Sequence, residues 1–151
     1  LYAFAEKIVG VLLVLFFLIQ FIRPKKNTGT VSGNTTMSSI YQVPPAVADI
    51  FGVSCYDCHS NHTRYPWYAE LQPIGWLLDK HVREGKRELN FSEFAAYSER
   101  RKISKLKAIA AQVKDEEMPL GSYKWMHAAA KLTATEKQQI IQWVDTIVES
   151  H

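Results

Sequence analysis

The stretch Cys55, Tyr56, Asp57, Cys58, His59, with SNH (60–62) directly after it, decides how this chain is read. Two thiols three positions apart, followed at once by an imidazole, form the attachment spacing of a c-type haem. Each cysteine can add across a vinyl group of the porphyrin while the adjacent histidine reaches the iron from the same side. A structural zinc site made of Cys55, Cys58, His59 and His62 is the competing reading. Such sites draw ligand pairs from two separated segments, and no second Cys/His pair follows downstream. A disulfide between Cys55 and Cys58 would close a very small loop and leave His59 without a role. The spacing therefore predicts one covalently attached haem c, with Cys55 and Cys58 as thioether points and His59 as the proximal iron ligand.

Working outward, the 151 residues suit one domain plus an appendage. A net charge of +3, with no Arg-rich or aromatic-interleaved strip, argues against a nucleic-acid partner. Both cysteines belong to one motif, so cysteine count alone does not reveal the compartment. The haem does, because covalent attachment follows export.

Residues 8–22, IVGVLLVLFFLIQFI, carry Gln20 as their only polar side chain and are followed by Arg23, Lys25 and Lys26. As a helix this run reaches about 22 Å, and counted from Leu1 about 33 Å, against a bilayer core of about 30 Å. No small-residue cleavage pattern follows, so the run reads as a retained signal anchor rather than a cleaved signal. The basic cluster on the exported side runs against the positive-inside tendency. Since the chain opens on Leu, there is room for residues ahead of it. The expectation is a single-pass bacterial inner-membrane protein: residues 1–26 as anchor, 27–39 as a flexible linker, and 40–151 as a haem domain in the periplasm.

In the domain, Pro44 and Pro45 can open a helix bearing Val47, Ile50 and Phe51 on one face. The aromatic-rich stretch that follows the motif offers Tyr65, Trp67 and Trp76 as walls for a flat apolar cofactor. A second helix is expected to start at Pro73, turn Trp76, Leu77 and Leu78 inward, and end near Gly85. The spacing predicts a third helix over 104–114, with Leu106, Ile109 and Val113 on one side. The last one opens on a Thr133/Glu136 capping box and carries Ile140, Trp143, Val144, Ile147 and Val148. No stretch alternates well enough to demand a strand, so the fold class is all-α.

For the second axial position the candidates are Met118, Met126, His62, His81 and His127. Met118 leads because Pro119 stiffens its loop and a soft thioether favours ferrous iron. Met126 and His127 remain alternatives.

Together, CYDCHSN (55–61), YPWY (65–68), LNFSEF (89–94), EMPL-x-SY-x-WMH (117–127) and LT-x-x-E (132–136) resemble the bacterial haem-binding domain family. These are small membrane-anchored proteins with a cytochrome c-like fold. The resemblance covers nearly all of residues 40–149 and implies a monohaem, all-helical domain with Cys55 and Cys58 attached, His59 proximal and Met118 distal. The expected function is transfer of single electrons between redox proteins or within a membrane electron-transfer complex, without catalysis by the protein itself. A haem-based sensor or small-ligand binder is the alternative.

Overall fold

The computed structural model describes residues 2–151, apart from the side chain of Ala3. It contains α1 (Tyr2–Ile19), α2 (Pro45–Ser54), α3 (Tyr56–His59), α4 (Ile74–Glu88), α5 (Glu99–Lys114), α6 (Gly121–Met126) and α7 (Ala134–Glu149), joined by short 3-10 turns. Among the described residues there is no strand, only an isolated antiparallel bridge between Thr28 and His62.

The core forms where α2, α5 and α7 meet. Pro45 occupies the first helical position of α2, where its missing N–H has no partner to lose, and Val47, Ile50 and Phe51 recur at spacings of three and four and are buried. At the start of α7 the Glu136 N–H donates to Thr133 Oγ1 (3.2 Å) and the Thr133 N–H donates to the Glu136 carboxylate (2.7 Å). The stripe Ile140, Trp143, Val144 and Ile147 then joins Leu106, Ile109 and Val113 of α5 in one cluster. Phe91 and Phe94, from the turn Phe91–Ala96, complete it, with the Phe51 ring 5.1 Å from that of Phe91 and 5.7 Å from that of Trp143. Each such side chain contributes about 1.5–3 kcal/mol on burial.

Two helices differ from expectation. Helix α5 begins at Glu99, five residues earlier than the apolar spacing suggested: Arg100 and Arg101 continue the helix on its solvated side, while Lys102 is buried and pairs with Glu99 (2.7 Å). Helix α4 runs past Gly85 to Glu88, and Leu77 is 50 % exposed; the residues α4 buries are Gly75 and Val82. Gly85 is needed inside the helix for a close contact, described below, and does not terminate it.

The expected N-terminal transmembrane helix is corrected by the structure. Helix α1 spans 18 residues, about 27 Å at 1.5 Å per residue, and includes Glu6 and Lys7. It ends at Ile19, where the Gln20 amide instead bonds Gln72 through both of its ends (2.9 and 3.2 Å). Among the described residues no helix is long and apolar enough to cross a membrane. The single-pass inner-membrane placement with a periplasmic haem domain loses its support with it. Leu1, part of that expected anchor, lies outside the described residues. The large apolar side chains of α1 from Ile8 through Leu18 are exposed.

Residues 20–39 do not hang from the domain as a tether. The Trp76 indole N–H donates to Ile22 O (2.7 Å), and Arg23 and Lys26 pair with Glu70. Asn27 donates to Tyr65 Oη (2.7 Å) through its N–H, and its side-chain amide donates to Ser60 O and Thr63 Oγ1 (both 2.9 Å). Gly29 lies so near Asn61 that a Cβ there would stand 3.0 Å from the Asn61 carbonyl oxygen. Thr35 donates to Ser92 O (2.7 Å), and Met37 is buried. Small polar residues read as a flexible linker on composition alone, yet here Asn27 and Thr35 find partners on the domain surface.

Candidate functional site

Helix α2 delivers its C-terminus directly into the motif. The Cys55 N–H still closes the helix on Phe51 O (3.0 Å), and the Cys58 and His59 N–H groups both turn back onto Cys55 O (3.2 and 3.0 Å). One helical turn puts positions three apart on the same face, so Cys55 and Cys58 lie side by side with His59 next to them. On the other face of the turn, Tyr56 packs edge-on against Phe91 (5.3 Å) and Asp57 is buried.

Helix α4 backs this turn closely. A Cβ on Gly85 would stand 2.8 Å from Cys58 O, a separation that real Cβ atoms do not tolerate, so only glycine allows the approach. That approach places two carbonyls on the His59 ring: Nδ1 lies 2.9 Å from Gly85 O and 3.1 Å from Leu89 O. Both partners only accept, so Nδ1 carries the proton and Nε2 keeps its lone pair, the arrangement of a metal-ligating histidine. Burial pulls the His59 pKa below its ordinary value even against these two carbonyls, and the Lys105 charge acts in the same direction. The imidazole is therefore held in the neutral form that binds metal.

Burial also pushes the Cys55 thiol up to about 12; the Cys58 thiol is pushed up to about 11, by burial first and then by Asp57. Both are free, half-buried and protonated at neutral pH. Elements flanking the turn leave large apolar side chains in solvent: Val53 on α2, Trp67, Leu77 on α4, and Trp125 and Met126 on α6. Neutral imidazole, two thiols on one face and unpaired apolar side chains nearby fit an iron porphyrin. They fit structural zinc poorly. Among the described residues no three His, Cys, Asp or Glu side chains are disposed around a common metal position. The fourth zinc candidate, His62, is exposed and bridges Thr28 through its backbone. A cavity of about 440 Å³ opens beside Tyr56, Asp57 and Arg64, but Cys55, Cys58 and His59 do not line it.

Met118 follows α5 in a tight reversal in which Glu116 adopts a left-handed φ of 62° and the Met118 N–H donates to Gln112 O (3.2 Å). Its side chain is half-buried, and Pro119 after it is buried. Of the alternatives, Met126 is exposed, whereas the His127 ring stacks on Tyr123 (4.1 Å between centroids) and its Nε2 is 3.2 Å from Tyr68 Oη. Three aromatics were expected to wall the cofactor. Tyr65 and Trp76 use their polar ends to hold Asn27 and Ile22, and Trp67 is 76 % exposed.

Sequence reasoning missed Asp57, Arg64, Tyr68 and Tyr123. Asp57 accepts from the Arg64 N–H and Nε (both 3.1 Å) and from Tyr123 Oη (2.8 Å). One signal was available: an acidic residue between the two cysteines of a buried turn must find partners.

Comparison with known proteins agrees with the geometry. The model of the haem-binding domain family matches residues 14–146, which takes in the turn 55–59, the Met118 loop and most of α7. No curated protein and no solved structure matches the chain. A turn built to hold a neutral imidazole beside two thiols, inside a match that spans most of the sequence, leads to one conclusion: this chain is a member of the haem-binding domain family.

Proposed function

We propose that this protein binds one haem c covalently and carries single electrons between redox proteins, without catalysing bond chemistry of its own. The observation that carries the reading is the His59 geometry, with Nδ1 held by two backbone carbonyls beside a Cys55/Cys58 pair on one face of a single turn. Cys55 and Cys58 would each add an S–H across one vinyl group, sulfur bonding one carbon and hydrogen the next, with no net oxidation. The haem would supply a one-electron iron couple, its potential set by the axial ligands and the surrounding polarity.

The protein's own groups have separate tasks. His59 donates its Nε2 lone pair, and the Gly85 and Leu89 carbonyls fix the ring and raise its basicity. Met118 offers a thioether as the second ligand. On α5, exposed Arg100, Arg101 and Lys107, with Arg101 stacked 4.0 Å over the Tyr97 ring, give a positive face to an acidic redox partner.

Two measurements on haem-loaded protein test the reading. Met118→Ala is expected to abolish the weak far-red sulfur-to-iron absorption band and lower the midpoint potential; an unchanged spectrum refutes Met118 as ligand. The ferrous wild type is expected to refuse carbon monoxide. Ready uptake would favour a small-ligand sensor over a carrier.

A further inference from the structure

We infer that the hydrogen bond from Tyr123 to Asp57 is a latch: it holds α6, and the Met118 loop that leads into it, against the turn bearing Cys55, Cys58 and His59. This makes Asp57 and Tyr123 positioning residues for the second side of the haem. The latch itself is a statement about the chain; only its spectroscopic consequence rests on the Met118 reading above.

Helix α6 has six residues and buries none of them. A helix that short has no stability of its own, and without an apolar face in the core its position must be set by specific bonds. The structure supplies two short ones, beside longer reaches from Tyr123 Oη to Val53 O and from Lys124 Nζ to Glu116 O (both 3.4 Å). Tyr123 Oη donates to Asp57 Oδ2 at 2.8 Å, a contact between residues 66 apart in sequence. One turn later, His127 stacks on the Tyr123 ring and meets Tyr68 Oη at 3.2 Å, which fixes the far end of α6 to the turn Trp67–Glu70.

Asp57 is well prepared as the receiving end. It is 8 % exposed and its Oδ1 is taken by the Arg64 N–H and Nε, while Arg64 Nη2 is anchored on Gly52 O (2.6 Å). The Asp57 carbonyl oxygen accepts from Thr63 Oγ1 (2.6 Å). The carboxylate is thus rigidly aimed, and Oδ2 faces the one donor that comes from beyond the Met118 loop. Asp57 lies between the two cysteines in sequence, so whatever it grips is registered against the haem-bearing turn. Tyr123 follows Met118 by five residues, with the buried Pro119 between them.

The test uses the haem-loaded full chain and two readouts, amide hydrogen exchange and the far-red band. Tyr123→Phe removes only the hydroxyl. It is expected to speed exchange across Gly121–Met126 by about tenfold or more, the effect of losing one charge-assisted hydrogen bond, and to weaken the band, while the α5 and α7 amides stay as they were. Asp57→Asn keeps a carbonyl acceptor for Tyr123 and should exchange within about threefold of wild type, whereas Asp57→Ala should behave like Tyr123→Phe. A Tyr123→Phe protein that exchanges like wild type overturns the latch. Should that variant fail to fold, the Asp57 pair decides: Asp57→Ala and Asp57→Asn both exchanging as wild type overturns it, and a difference in the stated order supports it. Met118→Ala separates the two claims. If Met118→Ala keeps the band, the ligand assignment fails and the latch is judged by exchange alone.

Discussion

The two ends of helix α2 belong to different kinds of structure. Its Val47, Ile50 and Phe51 enter a core of α5 and α7 side chains that is closed, apolar and self-sufficient. Its C-terminus runs into a turn held mainly by backbone carbonyls, a buried carboxylate and tyrosine hydroxyls, with Trp67, Trp125 and Leu77 left in solvent around it. The first region is folded by burial, and the second is positioned by polar contacts that fix direction more than they add stability. A protein that must hold a large apolar cofactor has reason to be built this way: the core keeps the scaffold folded, and the site side keeps its apolar surface for the ligand.

Three substitutions break or sharpen this contrast. The largest effect belongs to Phe51→Ala, since Phe51 is fully buried and touches Phe91, Tyr56 and Trp143. It is expected to lower stability by about 3–5 kcal/mol in denaturant titrations. Gly85→Ala strikes the seam between the two regions, forcing α4 away from Cys58 O and carrying the Gly85 carbonyl away from His59. A loss of about 1–3 kcal/mol is expected, with a shift in haem midpoint potential that Phe51→Ala does not produce. If stability falls and the potential stays fixed, the carbonyl has no hold on the ligand.

The smallest effect lies at the surface. A hydrogen bond from Lys26, with the Arg23 charge, holds the exposed Glu70 carboxyl below the usual carboxylate range. A folded-state pKa that is depressed contributes above the unfolded value of about 4.3 and is lost as pH falls through the folded one. Acidification through and below pH 4 should therefore loosen residues 23–26 from the domain, read as faster amide exchange at Thr28, whose N–H donates to Lys26 O. Glu70→Gln should be loosened already at neutral pH and lose that acid step.

What was legible in the sequence follows the same division. Periodic apolar residues announced α2 and α7, and the Thr133/Glu136 box marked where α7 starts, because burial and capping leave local patterns. The turn Tyr56–His59 stood out in the sequence because the chemistry it suggests needs adjacent residues. Contacts between distant segments were not. Nothing local says that Tyr123 reaches Asp57, that Gly85 is spent on a close approach, or that Asn27 threads between Ser60, Thr63 and Tyr65. The anchor expectation failed for a related reason. It counted apolar residues to Ile22, whereas Gln20 leaves the helix to bond Gln72 and α1 stops at Ile19.

The central claim is that Cys55 and Cys58 carry haem through covalent bonds. Intact mass of the full chain, produced alongside a haem-attachment system, tests it when combined with an alkaline pyridine spectrum of the denatured protein. The account predicts a chain heavier by one haem, a spectrum typical of two thioether links, and loss of both in a Cys55→Ser/Cys58→Ser double variant. A chain of bare mass whose haem is freely extracted, or one that carries zinc instead, would contradict it.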